Sequence, residues 1–413
     1  MYNDQTIRHY RKNCFPELFV FVGSFMLFSL FVLFSNVPTL EARVKGGNCA
    51  DCHTMHNSQN NSPMVFIGTV GNPAGWDGST MAGGYTHVAQ AGLLISDCVG
   101  CHSSSTADSL VQLGTLKVPI VFNTVEPANG FGGLAGGNFY WMVAETDSTK
   151  GHNVAGISAI DLNFPGEAPG SNAGCWGSQN CHRSLTYAAV TKDNVEWADG
   201  GCQACHTPKH HGKAVADGDP ENADSGWYRF LDGNAKHAGH RSVIGIEDPN
   251  WENNPTADDH NVYFSGSPAL VDPATNQGIG RFCAGCHHNF HAQGTDDLGF
   301  ENNGSGANDD PWLRHPSDFV IPSTDEYATV IGREYDPLTP VGKQSLTSGS
   351  HNVVEAGDKV MCLSCHRAHG SPYPDMLRWD YTGGGEAVMS HSAANDTDPG
   401  TGCFYCHTTK DDP

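Results

Sequence analysis

Six short strings recur along the chain: CADCH at 49–53, CVGCH at 98–102, CQACH at 202–206, CAGCH at 283–287, CLSCH at 362–366 and CFYCH at 403–407. Each holds two thiols three positions apart, and a histidine follows at once. That spacing suits one task. Two such thiols reach the two vinyl groups on one edge of a porphyrin and form thioethers, and the next residue then folds under the ring to offer its imidazole to the iron. A four-thiolate zinc site also uses CxxC pairs, but it has no need of histidine after each second cysteine. Histidine is 22 of 413 residues, so six successes in six pairs by chance has odds on the order of one in fifty million. A disulfide across CxxC is strained and redox-active rather than structural. We therefore assign Cys49, Cys52, Cys98, Cys101, Cys202, Cys205, Cys283, Cys286, Cys362, Cys365, Cys403 and Cys406 to covalent haem c, with His53, His102, His206, His287, His366 and His407 as proximal ligands.

Three of the 15 cysteines remain. Cys14 precedes an apolar run and has no evident partner. Cys175 and Cys181 lie in GCWGSQNCHRS with five residues between them, and His182 follows directly. A wider loop still brings two thiols to one porphyrin edge if it bulges outward, which Gly177, Ser178 and Asn180 permit. The alternative is a structural disulfide in an oxidising compartment. The trailing histidine favours haem, so seven haems are expected, six of them on regular motifs.

Seven proximal histidines and His9 near the N-terminus leave 22 − 7 − 1 = 14 histidines for seven distal positions. Two imidazoles per iron are affordable throughout. An iron closed on both faces passes electrons, whereas an open one binds and transforms small molecules. CxxCK, the variant seen at some catalytic haems, is absent, and Met55, Met64, Met81 and Met142 are not needed as ligands. No catalytic residue is expected. His56, His210 or His211, His291 and His369 each follow a motif at short spacing. On a helical turn such residues share a face with the motif histidine, so the second imidazole must serve a different haem. His87, His152, His237, His240, His260, His288, His315, His351 and His391 are further candidates, each equally readable as a surface residue.

Residues 1–42 read as a secretory signal. Arg8, Arg11 and Lys12 precede the apolar stretch 18–34 and small Ala42 follows, the order of a basic region, an apolar region and a cleavage site. An uncleaved anchor is the alternative, and it would be the only membrane attachment. Both export residues 43–413, the electron-transfer unit. Lys+Arg is 22 against 45 Asp+Glu, a net charge of −23, which excludes a nucleic-acid partner by repulsion from phosphate. The gaps between successive proximal histidines, counting His182, are 49, 80, 24, 81, 79 and 41 residues, so there is no repeat array. With 49 glycines and polar loops such as NNGSGANDDP, the chain predicts a mostly irregular, loop-rich fold with one helical turn after each motif. Porphyrins then supply much of the core, and removing them should unfold the chain.

These residues resemble the filament-forming, outer-surface multihaem c-type cytochromes, the cytochrome nanowires, and especially their hexahaem type. The matching strings are CADCHTMHNS at 49–58, GGNFYWM at 136–142 leading to KGHN, CQACHTPKHHG at 202–212 with a later YRF, FCAGCHHNFH at 282–291, WLRHP at 312–316, CLSCHRAHG at 362–370 with Met376 and Arg378 beyond, and a CxxCH near the C-terminus. The resemblance implies a loop-rich chain with short helices wrapped round a continuous haem stack, every iron bis-His. It implies that His56 completes a haem of the neighbouring subunit, and that His152, His211, His291, His315, His351 and His369 are the other distal ligands. Cys175, Cys181 and His182 depart from the hexahaem pattern and would make a heptahaem variant.

The function so expected is electron transfer along an extracellular filament to redox partner proteins or external acceptors. A periplasmic multihaem carrier that does not polymerise is the alternative, and a multihaem reductase a weaker one.

Overall fold

In the computed structural model the described haem motifs coil into short helical turns, and a few such turns lie elsewhere. The described residues are 58–59, 62–63, 98–113, 116–129, 132–163, 185–186, 201–206, 210, 228–231, 243–265, 278–283, 286–287, 315, 317–347, 349–380 and 402–408. Helix α1 is Cys98–His102, α2 is Tyr140–Glu145, α3 is Ile279–Cys283, α4 is Cys362–Cys365 and α5 is Cys403–Cys406. A 3₁₀ turn spans Gly201–Ala204. All but α2 cover a haem motif or run up to one.

The motif turn closes in a repeated way. The N–H of His206, His287, His366 and His407 donates to the carbonyl of the first cysteine of its motif, at 2.9, 2.9, 3.0 and 3.0 Å. One turn of this kind sets both cysteines on a shared face, because residues three apart are neighbours on a helix. The expected helical turn after each motif is corrected for CVGCH, which strand Ser103–Ser104 follows at once, and for CLSCH. Its α4 ends at Cys365, and His366 is extended, at φ −113° and ψ 157°. A main chain leaving the helix there is free to carry His369 away from His366.

Strands are short, and the five described ladders each have two strands. The longest is the antiparallel hairpin of Leu110–Leu113 with Leu116–Pro119. Ser103–Ser104 pairs in parallel with Phe122–Asn123, fastening the chain just after α1. The chain is thus loop-rich with few short helices. It divides into two units, Met1–Leu40 and Glu41–Pro413, and the first lies outside the described residues, as does the apolar stretch 18–34. Among the described residues no helix is long and apolar enough to cross a membrane.

Apolar side chains gather in three small clusters, each against a motif. Val99 of CVGCH joins Phe122, Phe139, Met142, Val154 and Ile157, with Cys202 at the edge. Tyr228, Leu231, Val243, Tyr263, Ile279 and Met361 form the second, flanked by Cys205, Phe282 and Leu363. Ile321, Val330, Tyr335, Val341, Val354 and Tyr405 form the third, flanked by Cys406.

The segment carrying His369 is clamped by glycines. Gly137 bridges Gly370, and Gly370 bridges Gly151. Gly137 has φ +82°, and a Cβ there would stand 1.8 Å from the Gly370 carbonyl oxygen. No side chain fits that approach. Gly137→Ala is expected to cost on the order of 3 kcal/mol, from left-handed backbone strain and a displaced clamp together. Chemical denaturation of the haem-loaded protein measures it.

Candidate haem-binding site

Four motif histidines each face another histidine drawn from a distant part of the chain. The ring centres of His102 and His210 are 6.3 Å apart, and those of His152 and His287, His206 and His369, and His315 and His407 are each 6.0 Å apart. A metal between two imidazoles fits these gaps, because a metal–nitrogen bond of about 2 Å on each side, plus roughly 1 Å from nitrogen to ring centre, sums to about 6 Å. The residues present fit an iron held by two histidines.

The second ring nitrogen agrees. Nδ1 lies 2.8 Å from the Pro119 carbonyl oxygen in His102, 2.6 Å from that of Ala368 in His152, 2.9 Å from that of Arg229 in His206 and 2.7 Å from that of Asp375 in His366. A carbonyl oxygen only accepts, so Nδ1 must carry the proton and Nε2 is left with its lone pair. That is the tautomer a metal requires. Burial pushes His102, His152, His206 and His366 below the usual histidine range, and this outweighs the carbonyl bonds that act the other way. His369 falls furthest, to about 3, mainly through burial and then through the neighbouring His206 and His152. All are held neutral, as ligands must be. His351 adds an orphan: its Nε2 is buried with no hydrogen-bond partner. Such an atom costs roughly 1–3 kcal/mol unless something takes it.

The main chain places these rings. His369 N–H donates to the Gly136 carbonyl at 2.7 Å, and His152 N–H donates to the His369 carbonyl at 3.3 Å. The strings GGNFYWM, KGHN and CHRAHG therefore meet, and one glycine clamp sets both His152 and His369. Arg367, buried, donates to the carbonyls of Leu134 and Ala135 and ties the same loops.

The thiols are arranged for attachment rather than ionisation. Cys205, Cys365 and Cys406 are each pushed up to about 12 by burial. Cys283 is raised by its hydrogen bond with Cys362 and then by burial. A thioether carries no such charge, so covalent attachment removes the difficulty. The Cys283–Cys362 contact also brings two successive motifs together, consistent with closely spaced haems.

Of the residues singled out in the sequence, His102, His152, His206, His287, His315, His351, His366, His369 and His407 are described, as are the thiols of Cys98, Cys202, Cys205, Cys283, Cys286, Cys362, Cys365, Cys403 and Cys406. Cys101 is described by its backbone alone. Cys49, Cys52, His53, His56, Cys175, Cys181, His182, His211 and His291 lie outside the described residues. The imidazole facing His102 belongs to His210, whereas the resemblance implied His211, which lies outside the described residues. His260, one of the undecided candidates, has a different place. It stacks on Tyr335 at 3.7 Å and 12°, with Nδ1 2.8 Å from the Asn261 carbonyl oxygen and Nε2 3.1 Å from that of His351. A neutral imidazole has one N–H to donate to these two carbonyls, and the Tyr335 stack fixes the ring beside His351.

Residues 351–412 match the family model described as the doubled CXXCH motif. Among curated proteins, the C-type cytochrome OmcS of Geobacter sulfurreducens is 24% identical, over 89% of this chain and 88% of its own length. Solved structures of the Outer Membrane Cytochrome S filament and of the OmcS nanowires, both from Geobacter sulfurreducens, align with a TM-score of 0.43 each. Their identities are 17% and 18%, they cover 81% and 82% of this chain, and 84% of each of those chains is matched. Along most of its length the chain is thus similar to the C-type cytochrome OmcS, and residues 351–412 carry the doubled CXXCH motif.

Proposed function

We propose that this cytochrome carries electrons along seven covalent haems, each closed by two histidines, as the subunit of an extracellular filament. Its likeness to a cytochrome already points to electron transfer rather than catalysis. Haem, when bound, supplies one-electron exchange between ferric and ferrous iron. The observation that carries the reading is the repeated 6.0–6.3 Å gap between paired imidazoles. Side chains filling both faces of an iron leave no site for a substrate. The motif histidines are proximal; His152, His210, His315 and His369 answer four of them, and His351, with its unpartnered Nε2, answers another.

The finer points follow from the residues already named. Residues 1–42 direct export to the outer surface, where redox partner proteins or external acceptors collect the electrons. His56 reaches a haem of the next subunit and so links copies. The relative's filament supports polymerisation here. Cys175, Cys181 and His182 hold the seventh haem.

Two measurements test this. Intact mass should read seven haem additions, whereas six with two free thiols or one disulfide overturns the role of Cys175 and Cys181. Electron microscopy should find filaments in the purified protein and dispersed monomers in His56→Ala. Monomers of the parent chain at high concentration overturn the filament.

A further inference from the structure

Four of the histidines assigned to iron hand the Nδ1 proton to a main-chain carbonyl: His102 to Pro119, His152 to Ala368, His206 to Arg229 and His366 to Asp375. His407, the last proximal histidine, has another kind of neighbour. Its Nδ1 lies 3.2 Å from Oε1 of Glu326, a full carboxylate. The contact is at ion-pair distance but off the hydrogen-bond line.

The fold holds Glu326 in this position from several sides. Thr408, the residue after the ligand, donates its N–H at 2.9 Å and its hydroxyl at 2.5 Å to the Glu326 carbonyl. The chain next to His407 is thereby stitched to the chain carrying Glu326. Tyr327 packs its ring 5.1 Å from that of His407 on the same side. Glu326 sits within the 3₁₀ turn Asp325–Tyr327, whose first residue is forced to φ +55°. Backbone strain of this kind persists only where surrounding contacts impose it. Side-chain exposures of 20% for His407 and 28% for Glu326 leave the pair partly shielded from water.

We propose that Glu326 accepts the Nδ1 proton of His407 and thereby lowers the reduction potential of the haem attached at Cys403 and Cys406 relative to haems whose histidines face carbonyls. A carboxylate draws that proton more strongly than a carbonyl does, and the charge-assisted bond is the stronger one. The imidazole then gains anionic character and becomes a better donor to iron, which favours the ferric state. Glu326 is a positioning residue, acting through His407. Its effect is to give each chain one haem that holds its electron less tightly than the haems whose histidines face carbonyls.

The inference rests on His407 ligating that haem, so the experiment separates the two. Glu326→Gln keeps the shape and the Thr408 contacts and removes the charge. In spectroelectrochemical titration of the haem-loaded protein, one haem's share of the curve should move to more positive potential. A tenfold change in that haem's reduction equilibrium, about 59 mV for one electron, is the expected size. Thr408→Val, which loosens Glu326 without altering its charge, should give a smaller shift of the same sign. A Glu326→Gln curve that superimposes on the parent, or moves negative, at unchanged haem count overturns the inference. A C-terminal peptide whose Cys403 and Cys406 carry no haem mass would instead overturn the assignment of His407.

Discussion

His369→Ala is expected to leave one haem open on one face: high-spin when oxidised and able to bind CO when reduced, with the total haem count unchanged. His369 is half-buried, its ring centre lies 6.0 Å from that of His206, and Phe139 stacks on it at 5.0 Å. Its main chain is held by the Gly136 carbonyl and by the Gly137–Gly370 bridge. Among the described residues the neighbouring His152 is not available to swing in, because its ring is committed to His287 and its Nδ1 to Ala368. The substitution leaves the His369 carbonyl in place, so the main-chain bond from His152 persists and the second pair should stay closed. The measurement is the amplitude of the CO difference spectrum, expected at one haem equivalent against none in the parent. A variant that stays wholly low-spin and binds no CO would remove His369 from the ligand set.

The two halves of each iron site were unequally legible. CxxCH can be read from a single sequence because the thiols and the proximal imidazole sit within five residues, and one helical turn places them with no help from the rest of the chain. The distal imidazole is a long-range event. Nothing local to His210 distinguishes it from His211 or points to His102, and nothing near His315 names His407. His260 illustrates the limit from the other side: its flanking residues look like those of any candidate ligand, yet Tyr335, far along the chain, has claimed the ring beside the His351 carbonyl. The buried pair of Lys343 and Asp358, 2.6 Å apart and 2% and 3% exposed, could not be foreseen either. In a −23 chain a lysine is most simply read as solvated, and only the fold brings it against Asp358 and the Val353 carbonyl. The loop-rich character was legible from glycine and the thin apolar content, since neither helix nor strand can be long where few side chains remain to pack its face.

Changing Cys362 and Cys365 together to Ser is expected to remove one haem and with it the cooperative fold of the second and third apolar clusters. The turn α4 stands where they meet. Met361 is buried in the second cluster and Leu363 packs against it, while Cys365 lies electrostatically next to Cys403 and Cys406 beside the third. Ser364 Oγ donates to the Pro340 carbonyl at 2.5 Å, and Arg378 Nε donates to the carbonyls of Leu363 and His366 at 2.6 and 3.2 Å. Serine keeps every one of these bonds and changes little volume, so what the variant loses is the porphyrin. Each cluster holds only six buried side chains. Clusters so small cannot offset the conformational entropy of the long loops between them, and a cofactor's binding free energy then becomes folding free energy. A loss above about 5 kcal/mol is expected, beyond what ordinary surface or packing changes cost. Limited proteolysis and denaturant unfolding of the remaining haem-loaded chain should both report it, with cleavage spreading through 317–380 rather than staying near 362. An unchanged denaturation midpoint with one haem fewer would mean that side chains, not porphyrin, form the core, and that the haems are carried on a scaffold able to stand without them.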